Sequence, residues 1–115
     1  MNRIIRLLNI AADVATMGRD KRDFLVGCIA ERKDGAIVAA HNGGAVGRTA
    51  AVHADFRVVR KSDVGSVFYV ARVRRDNNNW TMAKPCRTCR MFMILSGAKR
   101  VYWTISPGAY GTEIF

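Results

Sequence analysis

The chain has 115 residues, of which half are hydrophobic and 24% are charged. This length and composition predict one domain, 1–115, with enough apolar surface for a single core. No apolar run is long enough to cross a bilayer. The apolar N-terminal run is soon interrupted by charged residues, without a signal-peptide cleavage site. We therefore expect a soluble, cytoplasmic protein rather than a secreted or membrane-spanning one.

The basic charge of the chain is high, with a formal net charge of +10 and arginine as 14 of its 19 basic residues. The planar fork of arginine suits phosphate groups better than the point charge of lysine. A phosphorylated or polyanionic partner, including nucleic acid, is one interpretation. The alternative is that basic residues cover solvated faces and keep the protein soluble. The odd number of cysteines, three, argues against a disulfide framework.

Helical spacing of apolar residues predicts a first amphipathic helix over 2–17. Two short apolar runs follow at 24–30 and 36–40, and the Asp34-Gly35 pair between them is typical of a hairpin turn. After a glycine-rich loop, a second helix is predicted over 50–61. These elements favour a strand hairpin between two helices.

The second half begins with a β-branched and aromatic run at 67–73, which predicts a strand. The polar segment 74–84 is predicted to be a loop. Proline suits the first turn of a helix, so Pro85 predicts a third helix that runs to about Ser96 and is capped by Gly97. A last strand is expected over 101–105.

The predicted order is α-β-β-α-β-α-β. Strands that are linked through helices imply right-handed crossovers and a parallel portion of sheet, here extended by the hairpin. The expected fold class is therefore α/β, with a mixed sheet and helices on both faces. The remaining residues, 106–115, are predicted to form a short tail.

Three potential metal ligands fall at the starts of two predicted helices. Cys86 and Cys89 are three residues apart on one helical turn and can face a common point, where the helix dipole favours thiolate. His53 lies near the start of the second helix, and both helix starts lie along one edge of a parallel sheet. The three residues predict a Zn²⁺ site with an open fourth position. A structural zinc, a redox pair or an ordinary histidine are the alternatives.

The chain resembles the cytidine/deoxycytidylate deaminase superfamily over residues of about 25–102. The resemblance is carried by four segments, His41-Asn42-Gly43, Val52-His53-Ala54-Asp55, Pro85-Cys86-Arg87-Thr88-Cys89 and the helix-glycine-strand passage at 96–102. The zinc-dependent nucleobase deaminases carry H-x-E…P-C-x-x-C, and this chain matches it except at Asp55, where the signature has glutamate. The resemblance implies a three-layer cytidine deaminase-like fold and zinc as cofactor.

The resemblance also implies hydrolytic deamination of a cytosine nucleoside or nucleotide. Zinc would activate a water molecule for attack at C4 of the base. Asp55 would shuttle protons from that water to the ring nitrogen and to the departing ammonia. Asn42 would hydrogen-bond the sugar, and the Ala54 backbone would contact the base. The backbone around Lys84 and Pro85 would flank the exocyclic amine.

Asp55 is the departure from the signature. It keeps a titratable carboxylate but reaches about 1.5 Å less far than glutamate. A displacement near 1 Å can cost about a hundredfold in rate. The site has adjusted to aspartate, the enzyme is slow, or the scaffold keeps zinc without catalysis. We favour a catalytic role over the alternative that Asp55 only suits the first turn of a helix.

Two other functions stay open. The basic residues and Trp80 within 72–90 could follow a nucleic-acid backbone and stack a base, which suggests a deaminase of single-stranded DNA or RNA. Trp80 could instead fold onto the domain. Asp55 and the short tail suggest a catalytically weak, zinc-stabilised nucleic-acid-binding module. Relatives carry further elements where this chain has 106–115, so an exposed apolar sheet edge would favour a homo-oligomer.

Overall fold

The computed structural model describes residues 2–17, 24–41 and 58–115. In chain order the described elements are α1 (Arg3–Thr16), β1 (Phe24–Glu31), β2 (Ile37–His41), β3 (Val67–Arg74), β4 (Trp80–Thr81), α2 (Arg87–Leu95), β5 (Arg100–Ser106) and β6 (Ala109–Ile114). Within these ranges, no helix combines the length and apolarity that spanning a membrane requires.

The six strands form one mixed sheet in the order β2-β1-β3-β5-β6, with β4 paired to β3. Strand β5 runs parallel to β3. The pairings of β1 with β2, β1 with β3, β3 with β4, and β5 with β6 are antiparallel. Because β2 and β3 both run opposite to β1, they point in the same direction. The predicted mixed α/β sheet is confirmed.

Two apolar clusters lie on opposite faces of the sheet, because side chains alternate along a strand. The cluster beneath α1 contains Leu8, Ile29 and Tyr69 among its buried members. The cluster on the other face contains Phe68 together with Met93 of α2. Helices therefore cover both faces, as predicted, and the protein has three layers.

Helix α1 lies against the backbone of β1. Its buried face carries Leu7, Leu8, Ala11, Val14 and Ala15. The helix begins at the cap residue Asn2, whose side chain accepts a hydrogen bond from the Ile4 N–H at 2.7 Å. A Cβ atom at Gly27 would lie 2.0 Å from the Ala11 carbonyl oxygen, so this position requires glycine for the helix to pack.

Two predicted turns are confirmed. In the β1–β2 hairpin, the Gly35 N–H donates to the Arg32 carbonyl at 2.9 Å and Gly35 has a φ of 89°. At the end of α2, the Gly97 N–H donates to the Ile94 carbonyl and the Ala98 N–H to the Met93 carbonyl, both at 3.0 Å. This pair of bonds is a Schellman cap.

Two strands were not predicted. In the expected 74–84 loop, β4 forms because Trp80 is buried and pairs with Val73. The expected tail 106–115 is also wrong, since β6 returns along β5 through Pro107-Gly108. Proline followed by a glycine with a φ of 78° is typical of a tight turn. Strand β6 thus covers the edge of β5 that a tail would have left open.

The predicted second helix, 50–61, lies mostly outside the described residues. Val58 and Val59 are helical, and the following residues form a turn. Val58 is fully buried in the same apolar cluster as Met93 of α2. Lys61 donates from Nζ to the Ala39 carbonyl at 2.9 Å, which ties this segment to β2. The described end of the segment therefore lies on the α2 face of the sheet.

Replacing Gly27 by alanine should destabilise the fold by about 1–3 kcal/mol or more, because the new methyl group meets the α1 backbone. The comparison is Gly35→Ala, where the added methyl meets open space and only the left-handed backbone is strained, at about 1–2 kcal/mol. Urea unfolding measures both changes. A smaller loss for Gly27→Ala than for Gly35→Ala would contradict the close approach of α1.

Candidate metal centre

The first turn of α2 holds two thiols. Cys86 is the N-cap residue of the helix, and its Sγ accepts a hydrogen bond from the Cys89 N–H at 3.5 Å. Cys89 is buried, whereas Cys86 is exposed, and neither forms a disulfide within the part of the chain that the structure describes. Pro85 therefore precedes the cap and is not itself the first helical residue. Cys86 caps the start of α2 and Cys89 lies within its first turn, so the two thiols share one turn as predicted.

The position of this turn follows from the topology. Helix α2 connects β3 to β5, and these strands are parallel. The start of α2 therefore lies at the carboxyl edge of the parallel strands, where open α/β sheets bind their ligands. The Cys86 and Cys89 thiols therefore lie at the positive end of the α2 dipole.

Thr104 fixes the segment that leads into the thiol turn. Its hydroxyl accepts from the Arg72 N–H at 3.1 Å and donates to the Thr81 carbonyl at 2.7 Å. Its carbonyl accepts from the Ala83 N–H at 2.9 Å. Thr104 is fully buried, whereas its partners Arg72 and Thr81 are half-buried. The ends of β3, β4 and β5 are thereby joined just before Lys84, Pro85 and Cys86. Thr104 was not among the predicted site residues.

An ion pair holds the thiol turn against the last strand. Arg90 directly follows Cys89, and its guanidinium bonds both Glu113 carboxylate oxygens, from Nε at 2.8 Å and from Nη2 at 2.7 Å. This bond holds the pKa of the Glu113 carboxyl below its ordinary value. Glu113 was also missed from sequence, where Arg90 was grouped with residues that could contact nucleic acid.

The structure brings together only part of the predicted site. Lys84 is exposed, with its Nζ 5.7 Å from the centroid of the Trp103 ring, and Pro85 is half-buried. The other four predicted residues lie in 42–57, outside the described residues: Asn42, His53, Ala54 and Asp55.

The described residues include two of the three ligands that the sequence predicts for a catalytic zinc site. Within 2–17, 24–41 and 58–115, no group of three ligating side chains occurs. Two cysteines in one helical turn nevertheless form a soft donor pair that suits zinc. The thiols of Cys86 and Cys89 therefore fit the metal, and the third ligand that the sequence predicts, His53, lies in the segment 42–57.

Residues 1–105 match the family described as the cytidine and deoxycytidylate deaminase zinc-binding region. This match spans nearly the whole chain, and the chain belongs to this family. The protein is thus a zinc-dependent deaminase domain of the cytidine deaminase type, with the three-layer fold that the resemblance implied. A comparison with the curated proteins finds no match.

Removing the Glu113 charge should lower the stability of the fold in a pH-dependent way. The folded-state pKa of Glu113 lies below 4.5, so its ion pair stabilises the fold above pH 4.5 and is lost as the pH falls below that value. The melting temperature of Glu113→Gln should therefore be below that of the wild type at neutral pH, and the difference should vanish in acid.

The control for this measurement is the same substitution in an Arg90→Gln background. There the guanidinium partner is absent, so Glu113→Gln should change the melting temperature little at any pH. Equal melting temperatures of the wild type and Glu113→Gln across the whole pH range would contradict a stabilising pair.

Proposed function

We propose that residues 1–115 form a single domain that hydrolyses the exocyclic amine of a cytosine nucleoside or nucleotide. The observation that carries this proposal is the Cys86/Cys89 pair at the start of α2, at the ligand-binding edge of a sheet in a deaminase family. Water is consumed and ammonia is released, so the base changes from cytosine to uracil.

His53 is the proposed third ligand. The connection from β2 to β3 runs between two strands that point the same way, so it must return from the carboxyl edge to the amino edge. Its described helical end, Val58–Val59, lies on the α2 face. A helix over 50–61, as the sequence predicts, would begin at the carboxyl edge, beside Cys86 and Cys89. That direction supports a histidine at the helix start as the partner of the two thiols.

The side chains divide the chemistry among them. When bound by His53, Cys86 and Cys89, zinc would supply the Lewis acidity that activates water near neutral pH. The Asp55 carboxylate would accept a proton from the attacking water and deliver protons to N3 of the base and to the departing amine. Aspartate carries the same charge as the glutamate of the signature, so this role needs only a small change in where the base sits.

The remaining proposed contacts hold the substrate. Asn42 would hydrogen-bond the sugar, and the Ala54 backbone would contact the base. The backbone at Lys84 and Pro85 would flank the exocyclic amine. The Ala83 N–H bond to the Thr104 carbonyl supports this last role, because it fixes the preceding residue to the end of β5.

A deaminase of single-stranded DNA or RNA is the second candidate. The net charge of +10 favours it. Two of the contacts expected for it do not form, because Trp80 is buried in the α1 core cluster and Arg90 pairs with Glu113. The catalytically weak zinc-stabilised binding module is the third candidate. It differs from both enzymes in that the Asp55 carboxylate would have no role in turnover.

A cytoplasmic homo-oligomer is part of the proposal. The exposed apolar residues Met91, Ile94 and Leu95 follow helical spacing on α2 and support self-association. Replacing Leu95 by glutamate should then shift the mass in solution from oligomer to monomer, as measured by light scattering. A wild-type chain that is monomeric at working concentration would overturn this part.

Substitutions at the proposed site should separate metal binding from proton transfer. His53→Ala and Cys89→Ser should lose both bound zinc and ammonia release. Asp55→Ala should keep zinc but lower kcat by about a hundredfold or more, because a positioned proton shuttle contributes about 10²–10⁴. Zinc is measured by metal analysis, and ammonia release is measured with cytidine, deoxycytidine and their monophosphates.

The matched controls are Cys28→Ala, a buried cysteine in β1, and Asp13→Ala, an exposed carboxylate on α1. Both should keep zinc and turnover. Asp55→Glu tests whether the shorter side chain limits the rate, since it restores the glutamate of the signature. Unchanged turnover in Asp55→Ala would favour the non-catalytic module, and zinc-loaded protein that is inert toward all four substrates would overturn the proposed activity.

A further inference from the structure

A basic patch, formed by Phe24, Arg72, Arg74 and Arg75, lies at the same sheet edge as the Cys86–Cys89 turn, called the thiol turn here. Phe24 at the start of β1 pairs with Arg74 at the end of β3, and Val26 pairs with Arg72. In this part of β1 and β3 the even-numbered positions share the face of Cys28 and Val70, which belong to the α2 cluster. Phe24, Arg72 and Arg74 are therefore on the α2 side of the sheet, at its carboxyl edge.

Arg74 and Arg75 of the patch are exposed, and Arg72 is half-buried. The Arg72 guanidinium carbon lies 4.2 Å from the centroid of the Phe24 ring, a cation–π contact. Arg74 bonds Asp76 through Nε at 3.2 Å and Nη2 at 3.0 Å. A cavity of about 320 Å³ is lined by Phe24, Arg74, Arg75 and Asp76.

The patch has more positive than negative charge. Among the described residues that line the cavity, the guanidinium groups of Arg74 and Arg75 accompany a single carboxylate, that of Asp76, and Arg72 lies beside Phe24. Among the described residues, Arg72 and Arg75 have no ion-pair partner, whereas Arg3, Arg32 and Arg90 do. Planar guanidinium forks bind phosphate oxygens in pairs, so this patch suits a phosphate group.

The patch is close to the proposed reaction site through a short chain of contacts. The Arg72 N–H bonds the Thr104 hydroxyl, and the Thr104 carbonyl bonds the Ala83 N–H. Ala83 and Cys86 are three positions apart in the chain, so their Cα atoms are at most about 11 Å apart. A nucleoside that reacts at the thiol turn would carry its own phosphate, or the next one along a strand, toward this edge.

We infer that Phe24, Arg72, Arg74 and Arg75 form a phosphate-binding subsite that selects phosphorylated substrates for the proposed deaminase. The inference rests on the proposed function and specifies its substrate class. The phosphate belongs either to a mononucleotide or to a single-stranded polynucleotide. Asp76 competes with it for Arg74, so the carboxylate weakens binding.

The test uses the double variant Arg72→Gln/Arg75→Gln and the control Arg6→Gln/Lys99→Gln, which removes the same charge from exposed positions outside the patch. One arm measures kcat/KM for deoxycytidine monophosphate relative to deoxycytidine. The other measures binding of a short single-stranded oligodeoxycytidylate as a function of salt. A thermal melt of each variant confirms that it is folded.

If the mononucleotide is the source of the phosphate, the patch variant should show a ratio of kcat/KM for deoxycytidine monophosphate to kcat/KM for deoxycytidine that is about tenfold lower or more. The reason is that a charged hydrogen bond contributes about 1.5–3 kcal/mol. If the polynucleotide is the source, the salt slope should fall by about 0.7 for each phosphate that the variant no longer neutralises. Deamination of deoxycytidine itself should be unchanged. No loss in either arm, or an equal loss in the control variant, overturns the inference.

Asp76→Asn gives a second measurement with the opposite sign. This exposed substitution removes the competing carboxylate and should tighten binding of the phosphorylated ligand by severalfold, even if the arginine variant fails to fold. Unchanged or weaker binding counts against the subsite.

The outcomes also separate this inference from the proposed function. Oligonucleotide binding needs neither zinc nor turnover. Patch-dependent binding by a chain that is inert toward every cytosine substrate would overturn the deaminase and keep the subsite. If the chain deaminates cytosine substrates and the patch variant keeps the same preference for phosphorylated substrates, the deaminase stands and the subsite is overturned.

Discussion

The buried hydroxyl of Thr104 is the constraint on which the proposed site depends. Strand β5 pairs with β3 over Val67–Val70, and the registered pairing stops before Arg72. The Arg72 N–H is satisfied there by a side chain, which in turn donates to the Thr81 carbonyl. An unpaired buried N–H costs about 1–3 kcal/mol. One hydroxyl therefore lets the two parallel strands separate at their carboxyl ends while it keeps β4 and the thiol segment attached.

The basic residues of the chain have different functions, which the net charge alone does not show. Arg32 pairs with Asp63, whose pKa is lowered chiefly by a hydrogen bond from the Ser66 hydroxyl, and this group joins the first hairpin to the start of β3. Arg90 joins α2 to β6. Such arginines are structural. The net charge therefore overstates the basic surface that is left for a phosphate group.

Sequence patterns predicted those features whose determinants are local. Periodicity, the Asp34-Gly35 turn and the glycine at 97 were sufficient for α1, the hairpin and the end of α2. The Cys86/Cys89 pair was predicted because both thiols lie on one turn. Strand β4 was missed because its one apolar anchor, Trp80, stands among polar residues. Thr104 and Glu113 were missed because their partners are more than 20 residues away, and only tertiary packing brings them together.

A sulfur atom as the cap of α2 couples metal occupancy to the order of that helix. As a neutral thiol, Cys86 is a weak acceptor for the Cys89 amide, whereas oxygen side chains are the usual caps. A metal ligand must be a thiolate, which accepts more strongly. Ion binding would therefore tighten the same hydrogen bond that starts the helix, and part of its binding free energy would appear as local folding free energy. The start of α2 would then be more ordered in the metal-bound chain than in the metal-free chain.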